Sequence, residues 1–169
     1  MNWKKSIAVA LSAFTIMAMV AGCGSNTATN DQKKIGVIQL VEHPSLDAAN
    51  KGFVDGLASK GYKDGQNIKL DQQNAQADQS NLNSIAQRFV SDKKDLVLAI
   101  ATPAAQTMAN ASHDMPIMGT AITDYVTAKL VQSNEHPGGN VSGTSDMTPV
   151  EKEVDLIIAL VPNVKQIGR

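Results

Sequence analysis

Two nearly continuous apolar runs, IGVIQLV at 35–41 and DLVLAIA at 95–101, constrain this chain more than anything else in it. Runs of that length, apolar at almost every position, suit strands covered on both faces, as in a parallel sheet. What separates them is helical in period. Leu46, Ala49, Phe53 and Leu57 recur at helical spacing, and KGYKDGQ ends that helix. NIKLDQQ then alternates like a strand, and Leu82, Ile85, Ala86, Phe89 and Val90 make an amphipathic helix.

The alternation continues past the second run. TPAAQTMANAS predicts a helix with Thr102 as its cap and Pro103 in its first turn. MPIMGTAI predicts a strand, TDYVTAKLVQ a short helix capped by Thr123 or Asp124, and VSGTSD a further strand. TPVEKEVDLIIALVP predicts a helix with Thr148 at the N-cap, Glu151 completing a capping box, and a stripe of Val150, Val154, Ile157 and Ile158. VKQIG reads as the start of another strand. The expected fold class is α/β, a three-layer parallel sheet with helices on both faces. Met108, Met115, Met118 and Met147 are expected to fill core or cleft gaps.

The first thirty-four residues read as an address. Lys4 and Lys5 open the chain, and an uncharged apolar stretch runs to Val20. That stretch is shorter than the ~20 residues a membrane-spanning helix needs. Small residues Ala21 and Gly22 precede Cys23, the chain's one cysteine. A basic start, a short apolar core and small residues at a cut site make a secretory signal. The pattern resembles the bacterial lipobox, which implies that Cys23 is acylated and becomes the first mature residue. The expected organisation is a signal peptide over 1–22, a tether over 23–34 and one lobe over 35–169, lipid-anchored on the extracytoplasmic face of the cell membrane.

Several classes of function are excluded by what the chain lacks. The net charge is −1 over 169 residues, so no basic surface exists to hold nucleic acid. One cysteine gives neither a disulfide framework nor a zinc site. No nucleophile motif, phosphate-binding loop or metal cluster is legible, so no catalytic residue, cofactor or metal is expected.

In sheets of this kind ligands collect outside the carboxyl ends of the strands. Glu42 and His43 follow the first strand, and Thr102 and Ala104 the third. Ile122, Thr123 and Asp124 follow the fourth, and Ser145 and Asp146 the fifth. Hydroxyls beside helix N-termini suit a carboxylate, and Asp124 or Asp146 suits an ammonium group. An amino acid carries both charges. The threonines are equally good as helix caps, and His43 is equally at home as a surface residue.

The stretches IGVIQLVEHPSLDAANKGFVDGLASKGY, ATPAAQTMANAS, MPIMGTAITDYVTAKLV and PGGNVSGTSDMTPVEKEVDLIIALVPNVKQIG together resemble the ABC-transporter substrate-binding lipoproteins of the tryptophan/tyrosine-binding type. The resemblance runs from about Lys34 to Gly168. It implies a type I periplasmic-binding-protein fold, an aromatic amino acid as ligand, and a membrane permease as partner. It also implies ligand contacts at Glu42, His43, Thr102, Ala104, Ile122 to Asp124, Ser145 and Asp146. The family carries a second lobe after the point where this sequence ends. The sequence is therefore expected to hold a leader and the N-terminal lobe only. The alternatives are a self-associating or non-functional remnant of such a protein, or a flavodoxin-like enzyme domain.

Overall fold

The computed structural model describes residues 32–166. The signal peptide and most of the tether expected from the sequence lie outside the described residues. Nine elements follow in order: β1 (Lys33–Gln39), α1 (Pro44–Ser59), β2 (Ile68–Asn74), α2 (Gln79–Ser91), β3 (Leu96–Ile100), α3 (Thr102–Ala111), β4 (Ile117–Ile122), β5 (Val141–Ser145) and α4 (Val150–Leu160). The five strands form one sheet in the order β2-β1-β3-β4-β5, every pair parallel. The first strand begins at Lys33, ahead of the apolar run.

The period-two geometry of a strand sorts its side chains onto two faces. Ile38, Val97, Ala99 and Ile117 point to the face covered by α2 and α3, with Leu82, Phe89, Ala104, Ala105 and Met108. Val37, Leu98 and Ile100 point the other way, where Leu46 and Phe53 of α1 cover them. This is the expected three-layer arrangement. Phe89 is fully buried, which contributes about 2–3 kcal/mol. Its ring lies so close to Gly36 that a Cβ there would sit 2.6 Å from Cε2. The strand face needs that glycine.

Several local expectations are corrected. Residues 123–132 form consecutive turns rather than a helix. Ala128 N–H bonds to Asp124, Lys129 to Val126 and Leu130 to Tyr125, three different spacings, and Lys129 has φ +57°. Asp124 does cap this segment, as expected of it, and Thr123 does not. Thr102 is the first residue of α3 rather than its cap, a position held by Ala101. No side chain caps α4: Pro149, at ψ 72°, is not helical, so the helix starts one residue past the predicted box. Pro149 also biases Thr148 toward extended backbone. Val150, Val154 and Ile158 are exposed, not buried, and Ile157 is half-buried. Met118 and Met147 are exposed too, while Met108 and Met115 fill the core. Val164–Gln166 form no strand, and 167–169 lie outside the described residues.

Candidate functional site

The sheet order changes direction at β1. The chain steps outward from β1 to β2, then returns to add β3, β4 and β5 on the other side. The loops leaving β1 and β3 therefore diverge to opposite faces and leave a crevice between them. Glu42 and His43 stand on one side of it, Ala101, Thr102 and Ala104 on the other. Thr123, Asp124, Ser145 and Asp146 continue along the same edge of the sheet.

The local chemistry differs from position to position. His43 is the N-cap of α1: its Nδ1 accepts from the Ser45 N–H at 3.3 Å. Glu42 is exposed. Ala104 and Ile122 are both fully buried, backbone included, and belong to the core. Ser145 Oγ donates to the Thr123 carbonyl at 2.6 Å, and Asp146 N–H to the Ile122 carbonyl at 3.2 Å. The ends of β4 and β5 are thereby tied together.

Asp124 is engaged by its own loop. Oδ1 accepts from the Val126 and Thr127 amides at 2.9 and 3.0 Å, and Oδ2 from Thr127 Oγ1 at 2.6 Å. Those bonds, led by the Thr127 hydroxyl, hold its carboxyl below the usual range. Asp146, by contrast, is exposed; burial, and after it the Asp146 charge, pushes Tyr125 up to about 12.

Nothing in the residue types marks the backbone at Ala101. It has φ +83° and ψ 152°, a region that glycine favours, and Ala121 at the end of β4 has φ +55°. Such conformations cost roughly 1–3 kcal/mol each and persist where the surroundings enforce them. Ala101 is held by its N–H to the Thr120 carbonyl at 3.0 Å and its carbonyl to the Ala105 N–H at 3.1 Å. No side chain caps α3. Its first amides, those of Thr102 and Ala104, have no partner within the helix; Thr102 is half-buried at the helix start, while Ala104 is fully enclosed. An uncapped helix start of this kind receives an anion.

Small clefts lie at the two ends of the sheet order. One of about 300 Å³ is lined by Tyr125, Val131, Ser142, Gly143 and Ser145. The other, about 250 Å³, is lined by Gln39, Glu42, Asp47, Asn50 and the end of β2. Sequence reasoning passed over Gln39, although a polar residue inside IGVIQLV was a visible signal. Among the described residues no group of three or more His, Cys, Asp and Glu could hold a metal.

A five-stranded parallel sheet with helices on both faces, opening at its carboxyl edge, defines one lobe of a type I periplasmic-binding-protein fold. The particular family follows from comparison with known proteins. Residues 34–169 match the family of ABC transporter substrate binding proteins, and the chain belongs to it. A tyrosine-binding protein of Clostridioides difficile strain R20291 is 51% identical over 98% of this chain and 51% of its own length. The chain thus spans about half the length of the curated relative it matches. A solved structure from Streptococcus pneumoniae in complex with L-Trp is 51% identical, with a TM-score of 0.75 over 79% of this chain and 45% of that one. A ligand-free, open substrate-binding protein with adhesive properties from Clostridium difficile is 54% identical, with a TM-score of 0.72 over 78% of this chain and 44% of that one. The family is one of solute-binding proteins, not enzymes, and the flavodoxin-like enzyme alternative is set aside.

Proposed function

We propose that the chain supplies one wall of an amino-acid-binding cleft in a lipid-anchored ABC importer component, with an aromatic amino acid as ligand. The observation that carries this reading is the uncapped start of α3 beside the strained Ala101, at the point where strand order reverses. The Thr102 amide, at the half-buried helix start, takes the ligand carboxylate; Ala104 is enclosed behind it. Both oxygens of Asp124 already accept bonds from its own loop. Asp146 and Glu42, both exposed, are then the carboxylates left for the ammonium group. His43, Thr123 and Ser145 line the crevice, with Ile122 buried beneath them.

The choice of an aromatic amino acid is supported by the two relatives named for tyrosine and complexed with L-Trp. A cleft that closes over its ligand needs a second wall. The lobe described here is one wall, and delivery to a membrane permease belongs to the protein that has both. Cys23 is the proposed lipid anchor, which would hold the domain on the extracytoplasmic face. A second reading, self-association, has its own support in the exposed apolar residues of α4.

A thermal-shift titration of the chain with L-tyrosine and L-tryptophan tests the ligand. Binding stabilises by RT ln(1 + [L]/Kd), about 2.7 kcal/mol at a hundredfold excess over Kd. No shift with either amino acid at millimolar concentration would sink the binding reading. Membrane fractionation tests the anchor: Cys23→Ser should release the protein, and a variant still in the membrane fraction refutes lipidation at Cys23.

A further inference from the structure

We propose that Gln39 is the positioning residue of this site. Resting on the binding reading above, it would hold the Glu42–His43 loop in the orientation that faces the crevice. Gln39 ends β1 and is 4% exposed, the one polar side chain in an otherwise apolar strand end. It lies on the same face as Val37, under α1.

A buried amide must find partners for its two donors and its acceptor. Gln39 Nε2 donates to the Val41 carbonyl at 2.9 Å and to Asp47 Oδ1 at 2.6 Å. Its Oε1 accepts from Asn50 Nδ2 at a long 3.5 Å. Val41 immediately precedes Glu42, and Asp47 lies in the first turn of α1, whose cap is His43. One side chain therefore ties together the residue before the loop and the helix turn after it. The backbone of Gln39 and Leu40 adds a third tie: their carbonyls accept from the Ala75 and Ala77 amides at 2.9 and 2.8 Å.

Besides the Asp47 N–H bond to the His43 carbonyl at 2.9 Å, the loop has few ties of its own. Glu42, His43, Pro44 and Ser45 are all exposed, and the His43–Ser45 cap bond is 3.3 Å. Apolar packing begins only at Leu46. An aliphatic residue of the same size at position 39 keeps the volume but removes the clamp, so the loop is released while the strand remains packed.

Hydrogen exchange on the full chain, comparing wild type with Gln39→Met, separates this role from plain stability. The amides of Ser45 and Asp47 should lose tenfold or more in protection, while those of Val97 and Leu98 in β3 stay unchanged. Asp47→Ala should reproduce the loss, and Asp47→Asn, which keeps an acceptor, should restore most of the protection. Unchanged protection at 45–47 overturns the clamp, as does an equal loss throughout β3. L-Tyrosine and L-tryptophan binding is then measured on the same proteins. If wild type binds, Gln39→Met should weaken binding tenfold or more, and an unchanged affinity overturns the positioning role. If wild type binds neither, the binding reading fails, and with it the positioning role, whatever the exchange data say of the clamp.

Discussion

The Tyr125 hydroxyl donates to the Thr144 carbonyl across 3.1 Å, directly above the register pair Gly119 and Gly143. A Cβ on Gly119 would stand 2.6 Å from that hydroxyl, and one on Gly143 would meet both the hydroxyl and the Gly119 backbone. Both glycines are there to let the ring lie flat on the sheet. Gly143→Ala should therefore destabilise by about 2–3 kcal/mol, as overpacking does. Tyr125→Phe should cost about 1 kcal/mol for the lost hydrogen bond. Urea titrations of both variants check the order, and a Gly143→Ala protein as stable as wild type refutes the packing argument.

The same ring gives a pH prediction. Burial, then the charge of Asp146, pushes Tyr125 up to about 12 from 10.0, against the Thr144 bond, which pulls it down. A raised acid pKa means the folded state favours the neutral phenol. That contribution is full below pH 10 and disappears as pH climbs through 12. In a Tyr62→Phe background Tyr125 is the only tyrosine left. Its ultraviolet titration should then show a single late midpoint. Asp146→Asn should move that midpoint down, and no movement would mean that Asp146 does not face the ring.

The sheet was legible because its signal is redundant. Each apolar run and each amphipathic helix repeats one message over many residues, and the core residues Phe89, Val97 and Met108 all belong to such patterns. The failures fall where one backbone angle decides. At Thr102, Thr148 and the 123–132 segment, the residue types allow more than one start. Ala101, Ala121, Pro149 and Lys129 settle the outcome through their φ and ψ values. The strand-end position of all nine site residues was readable from topology. That Asp124 spends its oxygens on its own loop was not, because Thr127 and Val126 reach it only once the turn has formed.

Ala101 carries its own test. Glycine adopts φ +83° without the steric cost that alanine bears. Ala101→Gly should accordingly raise stability by about 1 kcal/mol, the relieved strain outweighing the entropy that glycine adds to the unfolded chain. Calorimetry decides it; a lower Tm would show that the conformation is not strained in the free protein.

A buried ion pair at the opposite edge of the sheet predicts an acid sensitivity. Lys94 Nζ lies 2.8 Å from Asp71 Oδ2, its side chain only 4% exposed, and 5.1 Å from the centre of the Phe89 ring. Burial raises the Asp71 carboxyl, but hydrogen bonds from Lys94 and Gln73 and the charges of Lys94 and Arg88 outweigh it, so the net shift is downward. A depressed carboxyl contributes stability above its unfolded value of 3.8 and loses it as pH falls through the folded value. Asp71→Asn leaves Lys94 buried with a weaker partner, Asp92 at 3.5 Å, and should cost about 3 kcal/mol at pH 7. That deficit should shrink as pH falls below 3.8 and on through the lower folded value, where wild-type Asp71 at last takes up its proton. A deficit independent of pH would assign the loss to packing.

The exposed face of α4 makes the last prediction. Val150, Leu156, Ile158, Leu160 and Val161 are each more than half exposed, and no residue of α4 is buried. Charged residues lie among them, yet the apolar positions outnumber the charged ones, and α3 shows no comparable face. Contiguous apolar surface of this kind seeks cover, whether from another part of a longer chain or from a second molecule. On its own the chain should associate with rising concentration. Leu156→Lys with Leu160→Lys should return it to a monomer by sedimentation velocity, with stability changed by less than about 0.5 kcal/mol because neither side chain is packed. If wild type sediments as a monomer at high concentration, the exposed face does not drive association, and the second reading of the chain's behaviour falls with it.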